Sequence, residues 1–396
     1  MSVFPSDRGA RNGVARDDFL VFGSPLIGDA EIAEVVDSLR SGWIGSGPKV
    51  QHFEQMLADY LRVPDVRCVS SCTAALFLGM HCLGVGPGDE VIVPAMTFVA
   101  SANAVEHVGA TPVLVDCEPD TGLIDLDAAE AAISDRTKAI MPVHLAGRPV
   151  DMERLADLRD RYGLTIVEDA AHAIGARWRD QPVGSFGNLT AFSFYVTKNI
   201  TTTEGGALAT TDAAMAARVE QLALHGLSLG AWHRYSDHGF KHYEATELGF
   251  KFNMTDIQAA LGIHQLPKLD EWIDCRARQW ERYDEELADL PLLTPPPATP
   301  GMRHAHHLYQ LRTTVNCPLR RDEILEALHE LKIGGGVHYR GVHLHPYYRD
   351  KYGLEPERFP AATAISDTTF SIPLSPKVSE RDQDDVIKAL HQVLDR

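Results

Sequence analysis

Between residues 66 and 210 the chain repeats one pattern, a short apolar run followed by an amphipathic stretch, and this repetition leaves few folds open to it. The apolar runs lie at 66–70, 91–94, 112–116, 139–143, 165–168, 191–195 and 207–210. Helically spaced segments at 73–82, 101–108, 127–133 and 152–162 separate several of them. Strands that are apolar on both faces must be covered on both faces, and alternation with helices makes their connections parallel crossovers. The pattern therefore predicts a three-layer α/β domain with a mostly parallel sheet, spanning 26–260 in a chain of 396 residues. An N-terminal arm over 1–25 precedes it, and a smaller α+β domain over 261–396 follows.

Two helices lead into the large domain. In the first, Ile32, Val35, Val36 and Leu39 follow helical spacing after Asp29 as a cap, with Gly42 as the stop. In the second, Val50, Phe53, Met56, Leu57, Tyr60 and Leu61 repeat the spacing after Pro48. Past Asp256 a helical stretch runs toward Leu287 until Pro291, Pro295, Pro296, Pro297 and Pro300 break it, which marks the passage into the small domain. There the expected elements are a strand at 307–313, a helix at 321–331, a strand at 336–339 and a final helix at 380–394. The stretch 226–247, rich in His, Tyr, Ser and Gly and without periodicity, reads either as a long loop near a binding site or subunit contact or as a plain exposed connector.

A net charge of −18 spread along the chain argues against a nucleic-acid partner. The first 17 residues lack the apolar core of a signal peptide, and no later run approaches the roughly 20 apolar residues of a membrane span, so a cytoplasmic protein is expected. The six cysteines form no CxxC pair, and neither they nor the 18 histidines follow a common metal-ligand spacing; free thiols and no metal are expected. Gly45-Ser46-Gly47-Pro48 follows a helix rather than a strand and lacks a third glycine, which removes support for dinucleotide chemistry.

Four other positions form a constellation, because pyridoxal phosphate (PLP) chemistry requires a lysine, a carboxylate for the pyridine nitrogen, a phosphate cradle and a ring to stack on the cofactor. Lys198 follows an apolar run and precedes Gly205-Gly206, a pair that lets backbone approach closely. Asp169 stands at the carboxyl end of another run, and His172 follows three residues later. Ser71-Cys72-Thr73 is a strand-to-helix junction with backbone N–H groups suited to a phosphate, to which the Ser193 hydroxyl can add. Phe98 occupies a further strand end. Taken singly, each has an ordinary reading: a solvated lysine, a helix-capping Asp169, Ser71 or Thr73, a packed His172, a core Phe98. What favours the chemical reading is that all requirements are met in one domain at carboxyl ends of strands.

The stretches Ser71-Cys72-Thr73-Ala74-Ala75-Leu76, Pro94-Ala95-Met96-Thr97-Phe98, Glu168-Asp169-Ala170-Ala171-His172, Phe192-Ser193-Phe194, Thr197-Lys198-Asn199, Glu204-Gly205-Gly206 and the segment 249–260 resemble the DegT/DnrJ-type sugar aminotransferases, a branch of the fold-type-I PLP enzymes. The likeness runs from about Phe22 onward. It implies that Lys198 forms the Schiff base, Asp169 pairs with the pyridine nitrogen, His172 neighbours the ring, Phe98 stacks on it, and Ser71, Cys72, Thr73 and Ser193 hold the phosphate. It further implies a homodimer in which Asn253 reaches the partner's cofactor, with L-glutamate as amino donor, a pyridoxamine phosphate (PMP) intermediate and a nucleotide-linked keto-sugar as acceptor. Cys72 departs from the small residue common there, and Lys251-Phe252-Asn253 replaces a more frequent Asn-x-Arg; by resemblance the Lys-x-Asn form points to amination at C4 of a dTDP-4-keto-6-deoxyhexose. Lys251, Arg234, His338 and Tyr339 are the expected substrate contacts. A keto-cyclitol aminotransferase needs the same catalytic residues, and a PLP-dependent sugar dehydratase is disfavoured by the lysine itself.

Overall fold

The computed structural model describes residues 16–228 and 244–394. Helices α1 (Asp29–Ser41) and α2 (Pro48–Leu61) come first. Then follow β1 (Asp65–Val69), α3 (Cys72–Cys82), β2 (Glu90–Pro94), α4 (Val99–His107), β3 (Thr111–Val115), α5 (Leu126–Ala131), β4 (Thr137–Ile140), α6 (Met152–Tyr162) and β5 (Thr165–Asp169). A short hairpin, β6 (Arg177–Trp178) and β7 (Gln181–Pro182), precedes β8 (Leu189–Ser193), β9 (Gly206–Thr210) and α7 (Ala213–Ala223).

Seven of these strands form one sheet in the order β1-β9-β8-β5-β4-β2-β3. Pairing is parallel from β8 to β3, and β9 is antiparallel to both β8 and β1, so six strands point one way and β9 alone points back. The continuous apolar runs now have their cause. Val91 and Val93 face the core shared with α3, while Ile92 between them faces the core lined by Leu155 and Leu158 of α6. Leu208 joins the α3 side, while Ala207 and Ala209 pack toward Phe53 and Leu57 of α2. With alternate side chains buried on opposite faces, both faces are predominantly apolar.

Beyond the sheet come α8 (Asp256–Gln265), α9 (Leu269–Glu286), β10 (Leu292–Leu293), β11 (Met302–Arg303), β12 (Tyr309–Thr313), α10 (Arg321–Glu330), α11 (Pro346–Tyr352), α12 (Pro360–Thr368), β13 (Thr369–Ile372) and α13 (Glu380–Leu394). Strands β10, β12 and β13 form a second, antiparallel sheet, with Ile324 and Leu328 of α10 and Val386 and Leu390 of α13 in its core. Helix α9 belongs to both cores: Leu269, Trp272 and Ile273 pack with the large sheet, Trp280 and Tyr283 with the small one. After α9 the proline stretch is tied back to the large sheet by Arg148, which donates to the carbonyls of Pro296 and Pro297.

Two local readings are corrected, and one helix buries an unexpected face. The segment 336–339 is no strand; Gly336 makes a single bridge to Ser371, and the third strand of the small sheet is β13. Gly28, not Asp29, caps α1, with Glu31 accepting from its N–H at 3.1 Å. Most telling, the apolar stripe of α1 faces outward: Ile32 and Leu39 are 53% and 56% exposed, while Glu31 and Ser38 are buried. The helix is held by polar contacts, Glu31 accepting from Lys268 at 2.6 Å and from Gln265 at 3.0 Å. Gly42, in the left-handed region at φ 80°, ends α1 as its sequence predicts.

Candidate active site

Six strands pointing one way bring their carboxyl ends to one edge of the sheet, and the chain turns into its next element there. After β1, Ser71 caps α3, its Oγ accepting from the Ala74 N–H at 3.1 Å. The first-turn N–H groups of Cys72 and Thr73 lack acceptors within the helix. Gly206 opens β9 opposite Ser193, the last residue of β8. Its backbone lies against the Ser71 turn so closely that a Cβ would fall 2.6 Å from the Ser71 carbonyl oxygen and closer still to Cys72 N. The glycine is required by this approach rather than by its φ.

Past β2, Phe98 occupies the N-cap of α4 with 54% of its surface exposed and its ring centroid 5.5 Å from that of Tyr339. Asp169 ends β5 and is buried. Its N–H donates to the Pro142 carbonyl at 2.9 Å and its carbonyl accepts from the His144 N–H at 3.1 Å, which clamps it to the chain leaving β4. One carboxylate oxygen accepts from Ser101 Oγ at 2.7 Å and the other from the Ala171 N–H at 3.1 Å.

His172 is buried, and burial, reinforced by Lys198 and His338, pushes its pKa well below the ordinary histidine range. Nδ1 lies 3.2 Å from the Ala146 N–H, which can only donate, so the neutral ring carries its hydrogen on Nε2. Nε2–H therefore donates to the Tyr339 hydroxyl at 2.9 Å. The phenol, kept protonated by burial, retains its own hydrogen for another acceptor. His338 stacks on Phe22 at 5.2 Å and its pKa is pushed down to about 4 by burial and by Lys198.

Lys198 lies in the loop after β8. The residue is half-buried with its amine end enclosed, and burial, partly opposed by Asp169, lowers its pKa to about 8. The loop is braced by its neighbour: Asn199 donates to the Ala305 carbonyl at 2.7 Å, and its oxygen accepts from His307 Nδ1 at 3.1 Å. The His307 ring in turn lies 4.4 Å from His172.

The fold thus gathers Asp169, His172, Lys198, His338 and Tyr339, with Phe98 against Tyr339, while Ser71, Cys72 and Thr73 form the adjoining turn and Ser193 ends β8 opposite the Gly206 that packs on it. The stretch holding Lys251 and Asn253 runs beside the end of β1, Asn253 bridging to Val69 and the Phe252 carbonyl accepting from the Ser70 N–H at 2.6 Å. Lys251 donates to Asn253 at 2.6 Å and Asn253 donates to Ser46 at 2.6 Å, beside a groove lined by Trp43 and Ile44. Arg234 lies outside the described residues.

Sequence reasoning missed Ser101, which touches the carboxylate directly, and a buried trio behind it. Glu168 accepts from His144 Nε2 and from Asn188, each at 2.8 Å, on the face of β5 opposite Asp169. Only the Thr97-to-Ser101 spacing at a helix start hinted at the first, and nothing in one dimension joins Asn188 to Glu168. All six cysteines are free. Among the described residues no group of three or more His, Cys, Asp or Glu is arranged to hold a metal, and no helix is long and apolar enough to cross a membrane.

Comparison with known proteins places this geometry. The sequence profile described as the DegT/DnrJ/EryC1/StrS aminotransferase family matches residues 25–391. The spore coat polysaccharide biosynthesis protein SpsC of Bacillus subtilis (strain 168) is 44% identical over 381 residues, covering 96% of this chain and 98% of SpsC. Spr1654 of Streptococcus pneumoniae, which carries a provisional sugar-aminotransferase assignment, superposes in its PMP form with a TM-score of 0.88 at 36% identity, covering 95% of this chain and 98% of that one. Its PLP form gives the same TM-score. DesV of S. venezuelae gives 0.84 at 35% identity over 92% of this chain and 94% of its own.

Enzymes of this family use PLP, and the residues here fit that group. The carboxylate oxygens of Asp169 each have one donor and capacity for another, the nearby amine is depressed toward neutrality, the exposed Phe98 ring stands past the end of β2, and the Gly206 approach leaves no side chain over the cradle turn. By its sequence from end to end, by its fold and by this arrangement, the chain belongs to the DegT/DnrJ/EryC1/StrS aminotransferase family.

Proposed function

We propose that this protein transfers an amino group from L-glutamate to a nucleotide-linked keto-sugar, a dTDP-4-keto-6-deoxyhexose aminated at C4 being the specific reading. The observation that carries the class is the enclosed Lys198 amine, at about 8, within electrostatic reach of the Asp169 carboxylate and of His172, which is bonded to Tyr339. PLP, when bound, supplies the electron sink that makes a Cα proton removable. The Lys198 amine would hold it covalently and, when free, would be the group positioned to move that proton as base and acid. Asp169 holds the ring-nitrogen end, Phe98 the ring face, and the Ser71–Thr73 turn with Ser193 the phosphate. Supporting the sugar acceptor are the provisional assignment of Spr1654 and the polysaccharide role in the name of SpsC. The Lys251-x-Asn253 pattern supports C4.

The same reading includes a homodimer. Ile32, Leu39 and Ile44 present apolar surface to solvent, and Ile44 lines one groove with Lys251 and Asn253, so in this reading the contact face adjoins the residue that reaches the partner's cofactor.

The test is spectroscopic. Protein loaded with PLP is expected to show a visible band that L-glutamate bleaches and a dTDP-4-keto-6-deoxyhexose restores, whereas Lys198→Ala gives no such cycle. Bleaching without recovery on this sugar, but with recovery on a keto-inositol, refutes the sugar acceptor and leaves the class; normal turnover by Lys198→Ala refutes the site.

A further inference from the structure

We propose that Ser101, backed by Thr97, is a positioning residue for Asp169, and that this two-hydroxyl relay governs how firmly the bound cofactor's ring nitrogen keeps its proton. The inference rests on the reading of Asp169 as the partner of that nitrogen.

The direction of each hydrogen bond follows from what the atoms can do. Ser101 Oγ lies 2.7 Å from Asp169 Oδ2, 2.8 Å from Thr97 Oγ1 and 3.3 Å from the Phe98 carbonyl oxygen. A carboxylate only accepts, and the shortest, charge-assisted contact takes the single Ser101 hydrogen. Thr97 must then be the donor to Ser101. The relay runs Thr97 O–H to Ser101, Ser101 O–H to Asp169 Oδ2, while the Ala171 N–H holds Oδ1 at 3.1 Å.

All three relay residues are shut from solvent, Thr97 at 1%, Ser101 at 0% and Asp169 at 5% exposure, so no water replaces a missing donor. Ser101 sits one turn into α4, whose N-cap is Phe98. The relay therefore locks the carboxylate to the same turn that presents the stacking ring, and the two features that grip the cofactor share one register. Without the Ser101 hydroxyl, Oδ1 alone is anchored, the carboxylate is free to turn about its Cβ–Cγ bond, and its hold on the ring nitrogen weakens. A less firmly protonated ring withdraws less charge from the lysine linkage, which then keeps its own proton to higher pH.

The experiment is a pH titration of the visible band of the PLP-loaded protein, run on wild type, Ser101→Ala, Ser101→Thr and Asp169→Asn, with melting temperatures as a check on folding. Ser101→Ala is expected to move the midpoint upward by about one pH unit and to lower kcat about tenfold with little change in KM, the scale of one hydrogen bond to a charged group. Ser101→Thr, which keeps a hydroxyl, is expected to restore the wild-type midpoint. If Ser101→Ala titrates like wild type while Asp169→Asn does not, the relay is overturned and the role of Asp169 stands; an unmoved midpoint in Asp169→Asn overturns the role of Asp169 itself. Should Ser101→Ala fail to fold, Thr97→Val removes only the upstream donor, and a smaller upward shift supports the relay where none refutes it.

Discussion

Gly206→Ala tests the packing on which the cradle depends. The added methyl would sit 2.6 Å from the Ser71 carbonyl oxygen and nearer still to the Ser71 carbonyl carbon and Cys72 N, all backbone atoms. Reaching ordinary contact requires a retreat of close to about 1 Å. Neither side yields easily: Gly206 is registered opposite Ser193 in β8 and Val69 in β1, and the Ser71 turn is pinned by its cap on Ala74. Overpacking of this kind costs about 1–3 kcal/mol, against which a glycine-to-alanine change gains about 0.4–1 kcal/mol by restricting the unfolded chain. The strain wins. For a chain of this length a drop of about 1–3 °C in melting temperature is expected. Because the atoms that move are the Cys72 and Thr73 amides, PLP affinity should also fall about tenfold or more, measured by absorbance titration of the apoprotein. A variant that melts within about 1 °C of wild type and binds PLP equally well would refute the argument.

Two further outcomes concern pH. With its amine at about 8, Lys198 is about one-tenth neutral at pH 7, several hundredfold more than an ordinary lysine, so the rate at which apoprotein captures PLP should climb between about pH 6 and 8 and then level. A rate still climbing steeply above pH 9 would contradict it. Glu54, whose carboxylate accepts from the Cys68 N–H at 2.7 Å, is raised to about 7 by burial, with Glu220 and Asp65 adding to the effect and Arg67 opposing it. A raised folded-state value means its contribution is complete below about pH 4.5 and lost as pH rises through 7, so Glu54→Gln should gain up to about 3 kcal/mol at pH 8.5 and almost nothing at pH 4.5. Denaturant unfolding at both pH values checks this; equal effects at the two would rule it out.

Much of this protein was legible in one dimension because the constraint there is local. A strand buried on both faces is mostly apolar, with a polar residue such as Glu168 surviving only where buried partners satisfy it, so β2, β5, β8 and β9 announced themselves as apolar runs, and the carboxyl ends of such strands are where Asp169, Phe98, Ser71 and Ser193 were found. Lys198 was legible through its setting in the motif rather than through its own chemistry. Tertiary structure decided everything that depends on which surfaces meet. It turned the apolar face of α1 outward, which its helical spacing could not reveal, because periodicity reports a face without saying what covers it. It replaced the expected strand at 336–339 with β13, since edge pairing depends on distant partners. It set His172 against Ala146 and Tyr339, and so fixed the tautomer that leaves the phenol hydrogen pointing onward. It also brought Ser101 to Asp169 across 68 residues of chain. Strand burial is written residue by residue, whereas a hydrogen bond between two strand ends exists only once the sheet has ordered them.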